Sequence, residues 1–593
     1  MFNDENHIAR KPLMILRRLI KHKQFVLLLS IVVGLTAGLA AVLLKTSVHY
    51  IEDYVREQSN VDTENIYYLI LPIIGIAVTV LFTVYIIKDD ISHGVSKILK
   101  ALSIGESRMK PHFMYSSLVS CSITSGLGGS VGMEAPILAT GAAMGSNIGE
   151  WSGQSHRTRM LLIGAGTAGA LASIFKAPIA GVIFAIEVLA LEVTASSIIP
   201  LLISAVTGAL VSTFMLGKSV EFYFSIKEPF EYKNIVFYVI LGIVCGLVSV
   251  YFLRTNSWIE NLIQRIKKKY WRILIGGGAV GLLIFLFPPL YGEGYSSMKM
   301  ILSGNIHDLS NSSPFYYFDV NSWAFVGYLG LILILKVAAM SFTTGAGGIG
   351  GAFAPSLFMG GITGAAFIKV VNLMGFTTLS QSNFILVGMA GLIAGVVSAP
   401  LTAIFLIAEI TGGYALFIPL IVTSSLAYIT TRLWEPYSIY TRGLALSGEL
   451  ITHNRDKSAL TLLRVNEVVD TDFKTVKPNQ TLRDLVEVIS TSNRNLYPVV
   501  DEYFNYIGVI TLDSVRKLMF DQSKYDSVYL YELMQKAKES VCLNDNLEMV
   551  MEKFRKTGWY NLPVLDGTKY VGFVSRAHIL TLYRNKIKEF SAE

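Results

Sequence analysis

The pentapeptide Gly132-Met133-Glu134-Ala135-Pro136 sets a single carboxylate inside a long apolar region. It has a counterpart 219 residues later, Gly351-Ala352-Phe353-Ala354-Pro355. Gly, Ala and Pro recur in register, followed by Gly141 and Gly145 in one copy and Gly360 and Gly364 in the other. A further echo follows at a similar offset: the stretch from Gly166 to Pro178 runs on to Glu187, and the stretch from Gly388 to Pro400 runs on to Glu409. Each proline stands nine residues before its glutamate. Duplicated halves with apolar segments interrupted by glycine and proline predict a transporter-like site between two repeats.

Composition agrees with a membrane location. Only 16% of the 593 residues are charged, and the mean hydropathy is +0.51, which argues against a soluble globular chain. Phe25–Leu44 is an uncharged run long enough to cross a bilayer. Other apolar runs are Ile66–Ile87, Ile198–Leu216, Ile235–Leu253, Ile273–Phe287 and Trp323–Leu335. The segments after Pro136, Pro178, Pro355 and Pro400 read as shorter than a full span, that is, as broken helices meeting inside the membrane.

The net charge of +7 is no sign of nucleic-acid binding, because the cations flank apolar runs. Arg10, Lys11, Arg17, Arg18, Lys21 and Lys23 precede the first run, and Arg265, Lys267, Lys268, Lys269 and Arg272 lie between two later ones. This pattern predicts a cytoplasmic N-terminal tail (1–23) and a cytoplasmic loop near 265, with the polar stretch from Pro288 to Asn321 outside. The first apolar run is too long for a cleavable signal. Cys121, Cys245 and Cys542 are too scattered for a disulfide framework or a metal site.

A proline in the first helical turn loses no hydrogen bond, since that N–H has no intrahelical partner. The remaining free amides at a helix start, together with the helix dipole, favour an anion. Two such starts, at Gly132–Pro136 (with Gly132, Met133 and Ala135 as candidate anion-binding residues) and Gly351–Pro355, facing each other from inverted repeats, are expected to make an anion site without a buried lysine or arginine. Glu134 is the candidate gate. Its ionised carboxylate would occupy an anion position itself, and protonation would release it. Glu187 and Glu409 match by repeat and read as structural, at helix packing surfaces. Gly345-x-Gly347-x-x-Gly350 satisfies a dinucleotide fingerprint, but it follows an apolar helix and lacks the later acidic residue, so no such site is expected. No nucleophile–base constellation stands out, which points away from an enzyme.

From about Ser458 the composition changes to a charged, soluble α/β pattern, again duplicated. Val476, Asn479, Leu482, Pro498 and Asp501 recur 65 residues later as Val541, Asn544, Leu547, Pro563 and Asp566. Each copy then carries a strand containing a glycine, Ile507–Thr511 and Val571–Ser575. This pair resembles tandem CBS domains.

Gly132–Pro136 resembles the Gly-Arg/Lys-Glu-Gly-Pro motif of the CLC chloride channels and transporters, and Gly351–Pro355 resembles their Gly-x-Phe-x-Pro motif. The likeness covers roughly residues 20–450. It implies an external gating role for Glu134 and anion-binding amides at Ala352 and Phe353. Ser438-Ile439-Tyr440-Thr441 resembles the last pore helix, which implies that the Tyr440 hydroxyl contacts the ion. The family's Gly-Ser-Gly-Ile-Pro loop falls at Ser92-His93-Gly94-Val95-Ser96, so His93 replaces the anion-binding serine and Ser92 stands beside it. Met133 and Ala135 replace the motif's basic residue and second glycine. The inner carboxylate position of many proton-coupled members is Val188 here. In the CBS pair the usual ribose-binding Asp is missing, since Thr511 and Ser575 lead to Ser514 and His578. Thr511, Asp513 and Ser575 are therefore weak candidates for adenine nucleotide, and a structural or dimer-regulating module is favoured, with no cofactor or metal.

The expected architecture is an all-α polytopic membrane domain of inverted repeats with broken and tilted helices (24–450; repeats 24–216 and 235–445), followed by an α/β tandem CBS domain (451–535 and 536–593). The expected function is exchange of chloride, or a similar small anion, for protons across the cell membrane. The resemblance implies a homodimer, and both termini are expected in the cytoplasm. A passive gated chloride channel is the alternative. A CBS-regulated cation transporter is a distant third, because the repeated helix starts present N–H groups rather than oxygen ligands.

Overall fold

A computed structural model of the chain describes residues 20–58, 67–103, 107–191, 194–217, 230–303, 322–376, 379–447 and 465–582, apart from 538, 544 and 546. The expected tail cations Arg10, Lys11, Arg17 and Arg18, and the junction expected at 450/451, lie outside the described residues. So does most of the polar stretch before Asn321. The chain forms two compact units, 1–450 and 451–593.

The first unit is helical. Its first half comprises α1 (His22–Gln58), α2 (Tyr67–Leu81, extended by a π-turn over Phe82–Ile87), α3 (Gly94–Ser103), α4 (Ser116–Gly126), α5 (Glu134–Trp151), α6 (His156–Phe175), α7 (Pro178–Glu187) and α8 (Ala195–Leu216). The second half comprises α9 (Ile235–Gln264), α10 (Lys269–Leu286), α11 (Tyr295–Ser303), α12 (Trp323–Ala346), α13 (Phe353–Leu373), α14 (Gln381–Val397), α15 (Pro400–Ile410), α16 (Phe417–Trp434) and α17 (Arg442–Leu446). Among the described residues, nine helices are long and apolar enough to cross a membrane. On α1 one stripe (Phe25, Leu29, Val33, Ala37, Leu44) is buried, while Ile31, Leu35, Leu39 and Leu43 are exposed. An exposed apolar stripe of this length suits lipid, not water.

The helices after Pro178 and Pro400 are short, at 10 and 11 residues. The segment after Pro355 is not: α13 runs for 21 residues and is one of the nine long apolar helices. Its glycines do not break it because a neighbouring backbone fills the space they leave. A Cβ on Gly360 would stand 2.4 Å from the Gly388 carbonyl oxygen, and one on Gly388 would stand 2.5 Å from that of Gly360. The first half repeats the contact between Gly141 and Gly166, at 2.3 and 2.0 Å. Close glycine packing of this kind is how helices associate where no hydrophobic effect drives them. The repeat also extends to the helix ends, since Lys176 after α6 and Ser398 after α14 both take left-handed φ values, 55° and 60°.

Glu187 and Glu409 tie the two halves together. Glu187 accepts from the amides of Leu401 (3.0 Å) and Thr402 (2.8 Å) at the start of α15. Glu409 accepts from Ile179 (3.0 Å) and Ala180 (2.8 Å) at the start of α7. Each carboxylate thus satisfies the orphan amides of the other half's proline-started helix.

The second unit holds α18 (Val465–Val468), α19 (Leu482–Ser490), β1 (Leu496–Val500), β2 (Tyr506–Thr511), α20 (Leu512–Val515), α21 (Leu530–Leu533), β3 (Val541–Cys542), α22 (Leu547–Thr557), β4 (Asn561–Asp566) and β5 (Lys569–Ser575). The duplication is visible in the pairing. β1 and β2 are antiparallel with a register shift at Val499/Val500, and β4 and β5 are antiparallel with one at Val564/Leu565. Val476 bridges Val499 in parallel, as Val541 bridges Val564. One core gathers Val476, Leu482, Tyr497, Ile510 and Leu530. The other gathers Val541, Leu547, Phe554, Leu562 and Val574 and takes in Val465 and Val468, so α18 packs with the second repeat although it precedes the first.

Candidate functional site

The two five-residue motifs meet directly. The Gly132 amide donates to the Gly351 carbonyl (2.9 Å) and the Gly351 amide to the Gly132 carbonyl (2.7 Å). This antiparallel bridge sets the starts of α5 and α13 against each other. A side chain on either glycine would force a shift: a Cβ on Gly351 would stand 2.8 Å from Ala135 Cβ, and one on Gly132 would stand 2.9 Å from Ala354 Cβ and 2.1 Å from Glu134 Oε2. Gly132 therefore provides the surface on which the Glu134 carboxylate rests.

Glu134 is fully buried. Its Oε1 accepts from the Tyr295 hydroxyl of α11. A carboxylate so far from water is costly unless it is hydrogen-bonded or protonated.

Beside the bridge, with Gly351 in its wall, lies a cavity of ≈ 70 Å³. The first half contributes His93, Gly94, Val95, Ser96 and Ala135 to its wall, and the second half contributes Gly351, Ala352, Ile439 and Tyr440. Asn256 and Glu260 of α9 and Thr344 of α12 complete one side. Thr344 donates to Glu260 (2.6 Å) and Ser341 to Asn256 (2.8 Å). The Tyr440 hydroxyl is buried and has no hydrogen-bond partner among the described residues. A buried donor without a partner is costly, and a ligand in the cavity would relieve that cost.

Of the residues singled out in the sequence, the cavity brings together His93, Ala135, Ala352 and Tyr440. The others lie elsewhere. Ser92 donates its hydroxyl to Asp90 (2.6 Å), and the adjacent His93 is exposed with φ 53°. The Gly132 amide is taken by Gly351, and the Met133 amide donates to Glu293 Oε1 (2.7 Å). The Phe353 ring packs against Phe175, with centroids 5.6 Å apart. Gly345 and Gly350 of the rejected fingerprint flank Gly347, whose φ of 109° ends α12.

A buried lysine lies nearby but does not line the cavity: Lys336 of α12 is fully buried and donates to Ser130 Oγ (2.9 Å) and to the carbonyls of Leu290 (3.2 Å) and Gly292 (2.9 Å). Its ammonium also lies 5.2 Å from the centre of the Phe358 ring. Three oxygen acceptors, with Glu293 as the nearby opposite charge, make its burial tolerable. Glu293, Tyr295 and Lys336 escaped the sequence reading. Two signals pointed to them: Gly292-Glu293-Gly294-Tyr295 sets a carboxylate between glycines, and Lys336 is a lone cation inside an apolar helix.

In the second unit a cavity of ≈ 320 Å³ is lined by Tyr506, Ile507, Lys536, Ala537, Glu539, Ser540 and Leu565. Thr511, Asp513 and Ser575 do not line it. Thr511 instead accepts from the Ser514 amide (3.2 Å), capping α20, and Asp513 pairs with Arg516. Burial pushes the Tyr506 and Tyr570 phenols well above their usual range.

These features define a polytopic membrane protein of two related halves, with two helix starts set against each other beside a small cavity, joined to a duplicated α/β unit. Residues 75–432 match the family model described as voltage gated chloride channel, and residues 465–521 and 530–585 match the CBS domain. The chain belongs to the CLC family and carries a C-terminal CBS pair. It is 25% identical over 563 residues to chloride channel protein CLC-f of Arabidopsis thaliana, covering 83% of this chain and 69% of that protein. It is 28% identical over 442 residues to the H(+)/Cl(-) exchange transporter ClcA of Vibrio cholerae, covering 70% and 88%. Its fold matches a slow cyanobacterial Cl-/H+ antiporter with a TM-score of 0.62 at 23% identity, covering 72% of this chain and 98% of that one.

Proposed function

We propose that this protein exchanges chloride, or a similar small anion, for protons across a membrane, with Glu134 as gate and proton carrier. The observation that carries the reading is the Tyr440 hydroxyl, buried without a partner among the described residues in a cavity that also meets the helix starts at Ala135 and Ala352. Donors and helix-start amides suit an anion and offer little to a cation. Glu134, fully buried and held by Tyr295, supports the gate. The names of the exchange-transporter relatives support proton coupling.

A passive channel is the second reading, favoured by Val188. This residue follows Glu187 as the C-cap of α7 and offers no carboxylate on the inner route. His93, at the cavity wall, is the proposed determinant of anion preference.

The test uses purified protein in liposomes under a chloride gradient, recording external pH with and without a proton ionophore. Exchange predicts uphill proton movement that the ionophore abolishes and that Glu134→Gln removes while anion flux persists. Chloride efflux without proton movement would make the protein a channel. Absence of flux for every small anion tried would sink both readings.

A further inference from the structure

Glu293 stands in the short loop between α10 and α11 and is only 6% exposed. Its carboxylate binds the Met133 amide, one residue before the gate, at 2.7 Å. Two residues later, Tyr295 donates to Glu134 itself. One loop therefore holds both the helix start and the gate. Opposite it, Lys336 binds the same loop through the carbonyls of Leu290 and Gly292.

We propose that Glu293 is a second gating carboxylate, which occupies a helix-start amide in place of the anion and yields it on protonation. This rests on the reading of Glu134 as the first gate. The charges motivate it: with both acids ionised, two carboxylates stand beside one helix start, and Lys336 is an opposite charge near Glu293. An anion arriving at α5 then meets an amide already held by a charged acceptor. A proton from solvent bonding to one Glu293 oxygen removes the charge and leaves only a carbonyl acceptor for Met133, the weaker kind of hydrogen bond. Deprotonation returns the proton and restores the bond.

Lys336 on α12 and Cys121 on α4 lie within electrostatic range of Glu293, Cys121 also within that of Glu134 on α5, and Tyr295 on α11 bonds Glu134. On α1, Glu52 lies against the neighbouring Gly292, 3.0 Å from where its Cβ would be, and His49 lies 3.7 Å from Glu52. The His49 side chain is 47% exposed and that of Glu52 15%. His49 and Glu52 therefore bring ionisable groups of α1 up to the residue before Glu293.

Glu293→Gln keeps shape and a carbonyl acceptor but cannot ionise. The expected result in liposomes is anion flux raised about tenfold at neutral pH, the size of one charge-assisted hydrogen bond, with a flattened dependence on pH. A fixed structural cap would survive this change, so a wild-type pH profile would overturn the proposal. A second measurement avoids the variant's folding. Calorimetric chloride binding to Glu134→Gln protein, in two buffers of different ionisation enthalpy, should still show proton uptake, and its absence would likewise overturn the proposal. Loss of all flux from the wild type, or Glu134→Gln with unaltered pH dependence, would instead strike the reading on which this rests.

Discussion

Glu409 of α15 accepts from the Ala180 amide of α7 at 2.8 Å, across the boundary between the two halves, and Glu187 returns the contact to Thr402. The two caps are related by the duplication, and each anchors a short helix that proline starts. Replacing either by Ala strands two amides at a partly buried helix start. Each substitution should cost about 2–4 kcal/mol, the loss of a charged hydrogen-bonding partner. Thermal unfolding in detergent would show it. An unchanged melting temperature with transport abolished would transfer these residues from architecture to chemistry.

Gly132→Ala tests the seat of the proposed gate. The added methyl would stand 2.1 Å from Glu134 Oε2, so the carboxylate must leave its place or the helix start must shift. If the carboxylate moves, the variant should approach Glu134→Gln in its flux and pH dependence. Flux with the wild-type response to pH would show that the carboxylate does not depend on this seat.

Tyr440→Phe removes a hydroxyl that bonds no described protein group, so stability should hold within about 0.5 kcal/mol. Anion affinity should fall by roughly tenfold to a hundredfold, as a hydrogen bond to a charged ligand is lost. Chloride titration by calorimetry decides it. Equal affinities would remove Tyr440 from the site.

The loop before His93 should respond to acid. Asp90 loses stability as an anion through burial, but hydrogen bonds from Lys97 and Ser92 outweigh this and hold its carboxyl below its ordinary 3.8. A carboxyl depressed by folding contributes stability that is full above its unfolded value and is lost as pH falls through the folded one. Ser92 and His93 should therefore be held firmly at neutral pH and loosen only below about pH 4. Hydrogen exchange of residues 88–97 across this range would show it. Loosening at neutral pH would mean that Asp90 does not organise the loop.

The sequence by itself determined the duplication, and with it a membrane fold of two related halves. Glycine and proline in register leave a record that survives where other residues drift, because each answers a backbone requirement: close approach at Gly141 and Gly360, a helix start at Pro178 and Pro400. The buried Glu134 was legible for a similar reason, since a carboxylate in an apolar run needs a purpose. The β-repeat at an offset of 65 was legible through its valines and prolines.

Only the tertiary structure decided which groups face one another. Glu293, Tyr295 and Lys336 come from a loop and from two helices far along the chain from Glu134, and no local period links them to it. It also decided that Ser92 turns to Asp90 while His93 reaches the cavity wall, a matter of one left-handed residue. Local spacing reports the backbone's needs, whereas charge pairing between distant segments is settled when the helices pack.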